Sequence, residues 1–198
     1  DTSRQYDFSW KENYRPEDLL LNRIAPPSGF RRMEEPPDSY ADWLRHLPLQ
    51  AAEAPVLLHN GERKGRQDVH AAVIDIAIGK ADLQQCADAV MRLRAEYLYS
   101  QGNYSEIHFN YTSGDQVSFD DWRQGRKPRV FGNKITFTPK TGTTDNSYRN
   151  FKKYLIEIFK YAGTASLSKE LKKVALEDLQ IGDVFIRGGF PGHAVLVV

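Results

Sequence analysis

The chain has 198 residues, of which 40% are hydrophobic and 27% charged, and its 27 basic and 26 acidic side chains leave a net charge of +1. That length is enough for one domain with a core needing no covalent staples, and the composition is that of a folded chain rather than a disordered one. The scattered basic residues leave no nucleic-acid footprint, no apolar run reaches membrane-spanning length, and one cysteine excludes both an intrachain disulfide framework and a cysteine-based zinc site.

Residues 1–37 read as an extended polar lead-in, with Trp10 and Tyr14 tucked onto the body; Pro26-Pro27 and Pro36-Pro37 exclude a regular helix there. The start at Asp1, without a methionine or a signal peptide, reads as a mature or trimmed form. A single α+β domain is expected over 38–198. Asp38 and Ser39 are cap residues for a short helix from Tyr40 to Leu47, stopped by Pro48. Val56-Leu-Leu-His59 before Asn60-Gly61 has the pattern of a strand entering a hairpin turn. The nearly all-apolar run from His70 to Ile78 predicts a central strand.

Asp82 and Gln85 fit a capping box at the start of the next helix. On that helix Leu83, Cys86, Ala87, Val90, Leu93, Arg94 and Tyr97 share one face, apolar but for Arg94, and Gly102 ends it. Ile107 to Thr112 alternates like a strand, and Ser118 to Gly125 is a short helix with its own stop. Residues 126–146 are turn-rich, with one strand from Lys134 to Thr138; the whole of 103–145 is expected as an insertion forming one wall of a groove.

Asn146 or Ser147 caps a helix whose apolar face is Phe151, Tyr154, Leu155, Ile158, Phe159 and Ala162, while Lys152, Lys153, Glu157 and Lys160 form a solvated stripe. A short helix around Leu167 to Val174 precedes two strands, Asp183–Ile186 and His193–Val198. The short glycine-rich loop between them favours antiparallel pairing. The sequence ends inside the last strand, which predicts that the domain continues past Val198.

The chemistry centres on Cys86 and His193. A free thiol titrates near ~8.5, and a helix N-terminus or a nearby imidazolium favours its thiolate. Cys86 lies close to the predicted helix start, and His193 opens an apolar strand whose same face continues through Val195 and Val197. If that face packs on the Cys86 helix, the pair suits acyl transfer: the thiolate attacks a carbonyl, the histidine protonates the leaving group, and water cleaves the thioester. The Cys86 backbone N–H, with Gln84 or Gln85, would then supply the oxyanion donors. Tyr111, Trp122 and Arg126 are candidates to rim a groove for glycan or peptide. His46, His59, His70 and His108 have no ligand spacing. No metal site and no cofactor is assigned.

Cys86-Ala-Asp-Ala, Gly182-Asp183-Val-Phe-Ile and Gly192-His193-Ala-Val-Leu-Val together resemble the papain-like cysteine hydrolases, above all the NlpC-type peptidoglycan endopeptidases. The resemblance implies an α+β papain-like core in which the Cys86 helix packs on an antiparallel sheet, with inserted strands and helices. It also implies that Cys86 and His193 are catalytic, that Asp183 is structural, and that a third catalytic polar residue follows on the strand after the histidine, beyond Val198. Gln84-Gln85-Cys86 replaces the usual Asp-Cys-Ser opening, and the long separation of Cys86 from His193 calls for inserted elements.

Leu-Gln-Gln-Cys86-Ala-Asp-Ala-Val-Met-Arg-Leu and Pro-Gly-His193-Ala-Val also resemble an uncharacterised bacterial family, often exported lipoproteins of the Bacteroidetes envelope. The function expected is therefore a thiol hydrolase of the periplasm or outer envelope, lipid-anchored before processing, cleaving an amide bond in a peptidoglycan stem peptide or similar polymer, with a cell-wall peptide or glycan as its substrate. The alternative is a non-catalytic envelope protein of the same fold that binds glycan or a protein partner, with Cys86 an inert core residue.

Overall fold

A computed structural model describes residues 5–132 and 134–198. The fold is mixed α+β, with six helices and three separate two-stranded antiparallel sheets among the described residues. It divides into two compact units, residues 5–82 and 83–197, so the boundary falls after Asp82 and not at residue 37. The first four residues of the expected lead-in lie outside the described residues.

The first unit contains α1 (Leu20–Arg23) and α2 (Tyr40–Arg45). The Ser39 hydroxyl caps α2 by accepting the Asp42 N–H at 3.1 Å, which satisfies one of the donors a helix start leaves open. Its core gathers Tyr6, Phe8, Leu19, Trp43, Leu44, Leu47 and Leu49, so the lead-in contributes two buried rings. The Phe8 ring lies 4.8 Å from Trp10 and 5.6 Å from Trp43, and the Tyr6 hydroxyl donates to Asp42 at 2.5 Å.

Two expected strands of this unit do not form. Val56–His59 makes one isolated bridge, Leu57 to Arg63, and the His70–Ile78 run makes one, Leu49 to Ile74. The Gln50 N–H donates to the Val73 carbonyl and the Asp75 N–H to the Pro48 carbonyl, each at 2.8 Å, while the Trp10 indole takes the Asp75 carbonyl. A central strand needs a ladder on both edges. This run is pinned at a few points and stays half-buried from Ala72 to Ile76, with Ala71, Ala77 and Ile78 exposed.

In the second unit α3 (Cys86–Ser100) is followed by β1 (His108–Asn110), β2 (Gln116–Ser118) and α4 (Phe119–Arg123). Then come β3 (Pro128–Phe131), β4 (Lys134–Phe137), α5 (Tyr148–Tyr161), α6 (Thr164–Glu170), β5 (Val184–Arg187) and β6 (His193–Leu196). Hairpin pairing puts Phe109 opposite Val117, Val130 opposite Ile135, and Phe185 opposite Val195. The Ser118 and Ser147 hydroxyls cap α4 and α5 by accepting the N–H groups of Asp121 and Asn150. β2 and β3 are additions to the expected elements, and α6 starts three residues early because the Ser166 hydroxyl accepts the Gly163 N–H at 3.1 Å.

One hydrophobic cluster unites α3, the β1–β2 hairpin, α4, α5, Leu167 and Ala194. Residues 103–145 supply Ile107, Phe109, Tyr111, Val117, Phe119 and Trp122 to it, so this stretch belongs to the core rather than standing beside it as a wall. β6 packs on α3, and β5 on α6. In the loop between β5 and β6 the Thr164 hydroxyl donates to the Gly189 carbonyl at 3.1 Å. A Cβ on Gly192 would collide with Thr164, and one on Gly188 with Ser168, so this approach requires glycine.

Candidate functional site

Cys86 is the first residue of α3, and Gln85, not Asp82, is the cap. The Gln85 N–H donates to Asp88 Oδ2 at 3.0 Å, and its carbonyl accepts the Ala89 N–H at 3.0 Å, the first bond of the helical ladder. Asp82 instead sits with its carboxylate 3.7 Å from His59 Nδ1. Asp88 is 8% exposed, and burial pushes its carboxyl up to about 6 although the Gln85 N–H favours the ionised form; its Oδ1 has no hydrogen-bond partner. Cys86 is a half-buried free thiol, packed with Leu83 against the core cluster.

The burial alternation of the β5–β6 hairpin decides which of its faces meets the core. Ala194 and Leu196 pack inward with Val184 and Ile186. His193 and Arg187 are exposed, as are Val195 at 49% and Phe185 at 51%, so the outward face carries His193. The strand thus packs on α3 through the face opposite to the one expected from the sequence. Among the described residues, no hydrogen bond joins the Cys86 thiol to the His193 imidazole.

Gln84 and Gln85 have different surroundings. Gln84 is half-buried, and its Oε1 accepts from Arg92 Nη1 at 2.7 Å; Gln85 is exposed. Arg92 is 6% exposed and faces Glu96, 1% exposed, with Nε 3.5 Å from Oε1. The Tyr148 hydroxyl donates to the same Glu96 oxygen at 2.8 Å, while Glu96 Oε2 is buried without a partner. Burial pushes the Glu96 carboxyl up to about 7, against the opposing pull of Arg92 and Tyr148. The sequence reading missed this network. Its signal was the i,i+4 spacing of Arg92 and Glu96 on one helix. Assigning Arg94 to the apolar face hid it, since Arg94 is exposed and Arg92 buried.

The proposed groove residues sit mostly inside. Tyr111 is 1% exposed, its ring 5.0 Å from that of Tyr161, and burial pushes its phenol up. It borders a cavity of about 490 Å³ together with Thr112, Ser113, Val130, Ile135 and Tyr161. Trp122 is 9% exposed and donates its indole N–H to Asn150 Oδ1 at 3.0 Å. Lys127 Nζ lies 3.6 Å from the Trp122 ring centre, and burial lowers this amine to about 8. Arg126 pairs with Asp121 at 2.6 Å and lies over the Phe137 ring at 4.3 Å. Rings buried on both faces cannot stack on a sugar from outside.

Among the described residues, no helix is long and apolar enough to cross a membrane, and no group of three or more His, Cys, Asp or Glu side chains is placed to hold a metal ion. A mixed α+β chain with a cysteine-headed helix against a histidine-headed strand is the class this geometry defines. Residues 20–198 match the family described as "Domain of unknown function (4846)", and the chain belongs to that family. The match spans both compact units, in keeping with the expected membership of an uncharacterised family. No curated protein and no solved structure matches the chain.

Proposed function

We propose that the chain carries the core of a papain-like thiol hydrolase of the bacterial cell envelope. It would cleave an amide bond in a peptidoglycan stem peptide or a similar polymer by Cys–His acyl transfer. The observation that carries this reading is the place of Cys86 as the first residue of α3, the helix on which the His193 strand packs. At that position the backbone N–H has no intrahelical acceptor. The thiolate attacks the amide carbon, and the Cys86 N–H with the Gln84 or Gln85 carboxamide receives the oxyanion. His193 protonates the departing amine, and water then hydrolyses the thioester.

A second reading, a non-catalytic envelope protein that binds glycan or a protein partner, is favoured by the outward face of His193 and the missing thiol–imidazole bond.

Iodoacetamide separates the two. The hydrolase reading predicts that native Cys86 alkylates at about pH 6 faster than the urea-unfolded chain, because the thiolate is the reacting species. His193→Ala then brings the rate down to that of an ordinary thiol. A thiol that resists alkylation at every pH until the protein unfolds overturns the hydrolase and leaves the binding protein.

A further inference from the structure

An antiparallel pair is joined through the backbone at every second residue, and the residues between turn their N–H and C=O groups to the opposite edge. In the β5–β6 hairpin the Val197 N–H donates to the Asp183 carbonyl at 2.9 Å. The register then makes Phe185 with Val195, and Arg187 with His193, the hydrogen-bonded pairs. Val184 and Ile186 therefore direct their backbone groups away from β6. That sheet has two strands, and among the described residues no third strand or loop takes up the donors and acceptors of Val184 and Ile186. This open edge lines a groove of about 450 Å³, bordered by Gly182 to Ile186 and by residues 171–176, the stretch after α6.

The rim of this groove is apolar and accessible: Leu176 is 72% exposed, Val174 56% and Phe185 51%. An unpaired strand edge beside exposed apolar side chains suits an extended peptide, whose main chain adds as a further strand while the groove reads its alternate side chains. Charge selects among such peptides. Lys172 and Lys173 also line the groove, are exposed, and have no ion-pair partner among the described residues. The neighbouring acids do not offset them. Glu170 is turned inward, its Oε1 accepting the Asn110 N–H at 2.9 Å, and Asp183 accepts the Gln180 N–H at 2.8 Å. Glu177 and Asp178 lie outside the lining. Lysines can also guard a strand edge against pairing, but a guarded edge has no need of exposed apolar side chains around them. We infer that the open edge of β5 is a docking site for an extended segment of another protein, added as a third strand, with apolar side chains toward Val174, Leu176 and Phe185 and acidic ones toward Lys172 and Lys173. The site uses the edge of the hairpin away from β6 and does not depend on the hydrolase reading.

The peptide fluorescein-Gly-Val-Glu-Val-Glu-Val-Glu-Val-amide tests this on the full chain. Fluorescence anisotropy is expected to show saturable binding, and amide hydrogen exchange followed by NMR is expected to slow by about 10-fold or more at Val184 and Ile186. Ala194 and Leu196, on the far edge of β6, should exchange as before. Leu176→Asp, at a side chain too exposed to disturb the fold, and the double variant Lys172→Glu/Lys173→Glu should each weaken binding by about 10-fold or more. The double variant should in turn prefer the same peptide with lysine in place of glutamate. Absence of binding up to about 1 mM peptide overturns the inference, and so does slowed exchange at Ala194 and Leu196 in place of Val184 and Ile186. Unchanged affinity in Leu176→Asp or in the double variant overturns it too. If the Val184 and Ile186 amides are already protected without peptide, sedimentation says what covers them: a second copy in a dimer, or the chain itself in a monomer. Either result overturns it.

Discussion

The aromatic packing around α4 and α5 and the β5–β6 hairpin belong to the same unit but use their large apolar side chains differently. In the first, Tyr99 stacks on Phe151 at 4.4 Å, and Phe119 lies 5.3 Å from Phe151 and 5.4 Å from Tyr154. Phe119, Phe151 and Tyr154 have no exposed surface, and the polar tip of Tyr154 is satisfied, its hydroxyl donating to the Val117 carbonyl at 2.9 Å. In the hairpin only one face is packed, and Phe185, Phe190 and Val195 are exposed. The first region carries rigidity, because each ring is fixed by several others. The second leaves its outward side chains, His193 among them, open to contact. The fold thus keeps its main source of stability in elements other than the strand on which the proposed chemistry depends.

The comparison breaks most visibly at Phe151. Truncation to Ala at a fully buried ring is expected to cost about 3–5 kcal/mol, measured as a shift of the urea unfolding midpoint. A loss below about 1 kcal/mol would mean that the aromatic packing is not the stabilising centre.

A smaller effect, on the order of 2 kcal/mol, is expected from pH. Glu96 is raised from 4.5 to about 7 and Asp88 from 3.8 to about 6, in both cases chiefly by burial. The folded state therefore holds these protons more tightly than the unfolded chain. Their contribution is fully present below the ordinary carboxyl values and is lost as pH rises through the raised ones. Asp121 and Asp145 are lowered and act in the opposite sense, but over a more acidic range. Unfolding free energy should accordingly rise between about pH 7.5 and about pH 5, and Glu96→Gln should flatten that slope. A stability that falls steadily over the same interval would contradict the burial of these two groups.

How far the sequence was legible depended on whether the deciding contact is local. α2, α4 and α5 begin after Ser39, Ser118 and Ser147 because each hydroxyl accepts an N–H three residues on, a bond written within one turn. Strand formation at His70–Ile78 needed ladder partners distant in sequence, and an apolar run alone does not supply them. The same limit appears at the site. That the Cys86 helix packs on an antiparallel pair with His193 at the head of one strand was legible from order and loop length. The packed face of β6 was not, because both faces are apolar after His193 and a shift of one residue exchanges them. Tyr111 and Trp122 looked like groove residues because they lie in a turn-rich stretch, yet hairpin pairing and the Trp122–Asn150 bond carry them inward.

The smallest expected effect lies on the outward face of the hairpin, and there the comparison is sharpest. Phe185 and Val195 are cross-strand partners, each about half exposed. Their mutual contact is a pair on an open face, worth roughly 0.2–1 kcal/mol. Replacing both by Thr puts a β-branched side chain with good strand propensity at each position while removing most of the exposed apolar surface. The double variant should therefore unfold within about 1 kcal/mol of the wild type, far less than Phe151→Ala. Ala194→Asp, one residue along but on the packed face and 5% exposed, should be severely destabilising, because it buries a charge with no partner against α3. If the Phe185/Val195 variant instead lost as much stability as Phe151→Ala, the outward face would have to be covered in the native protein. His193 would then be enclosed with it, and the contrast between a packed aromatic region and an open hairpin would have to be abandoned.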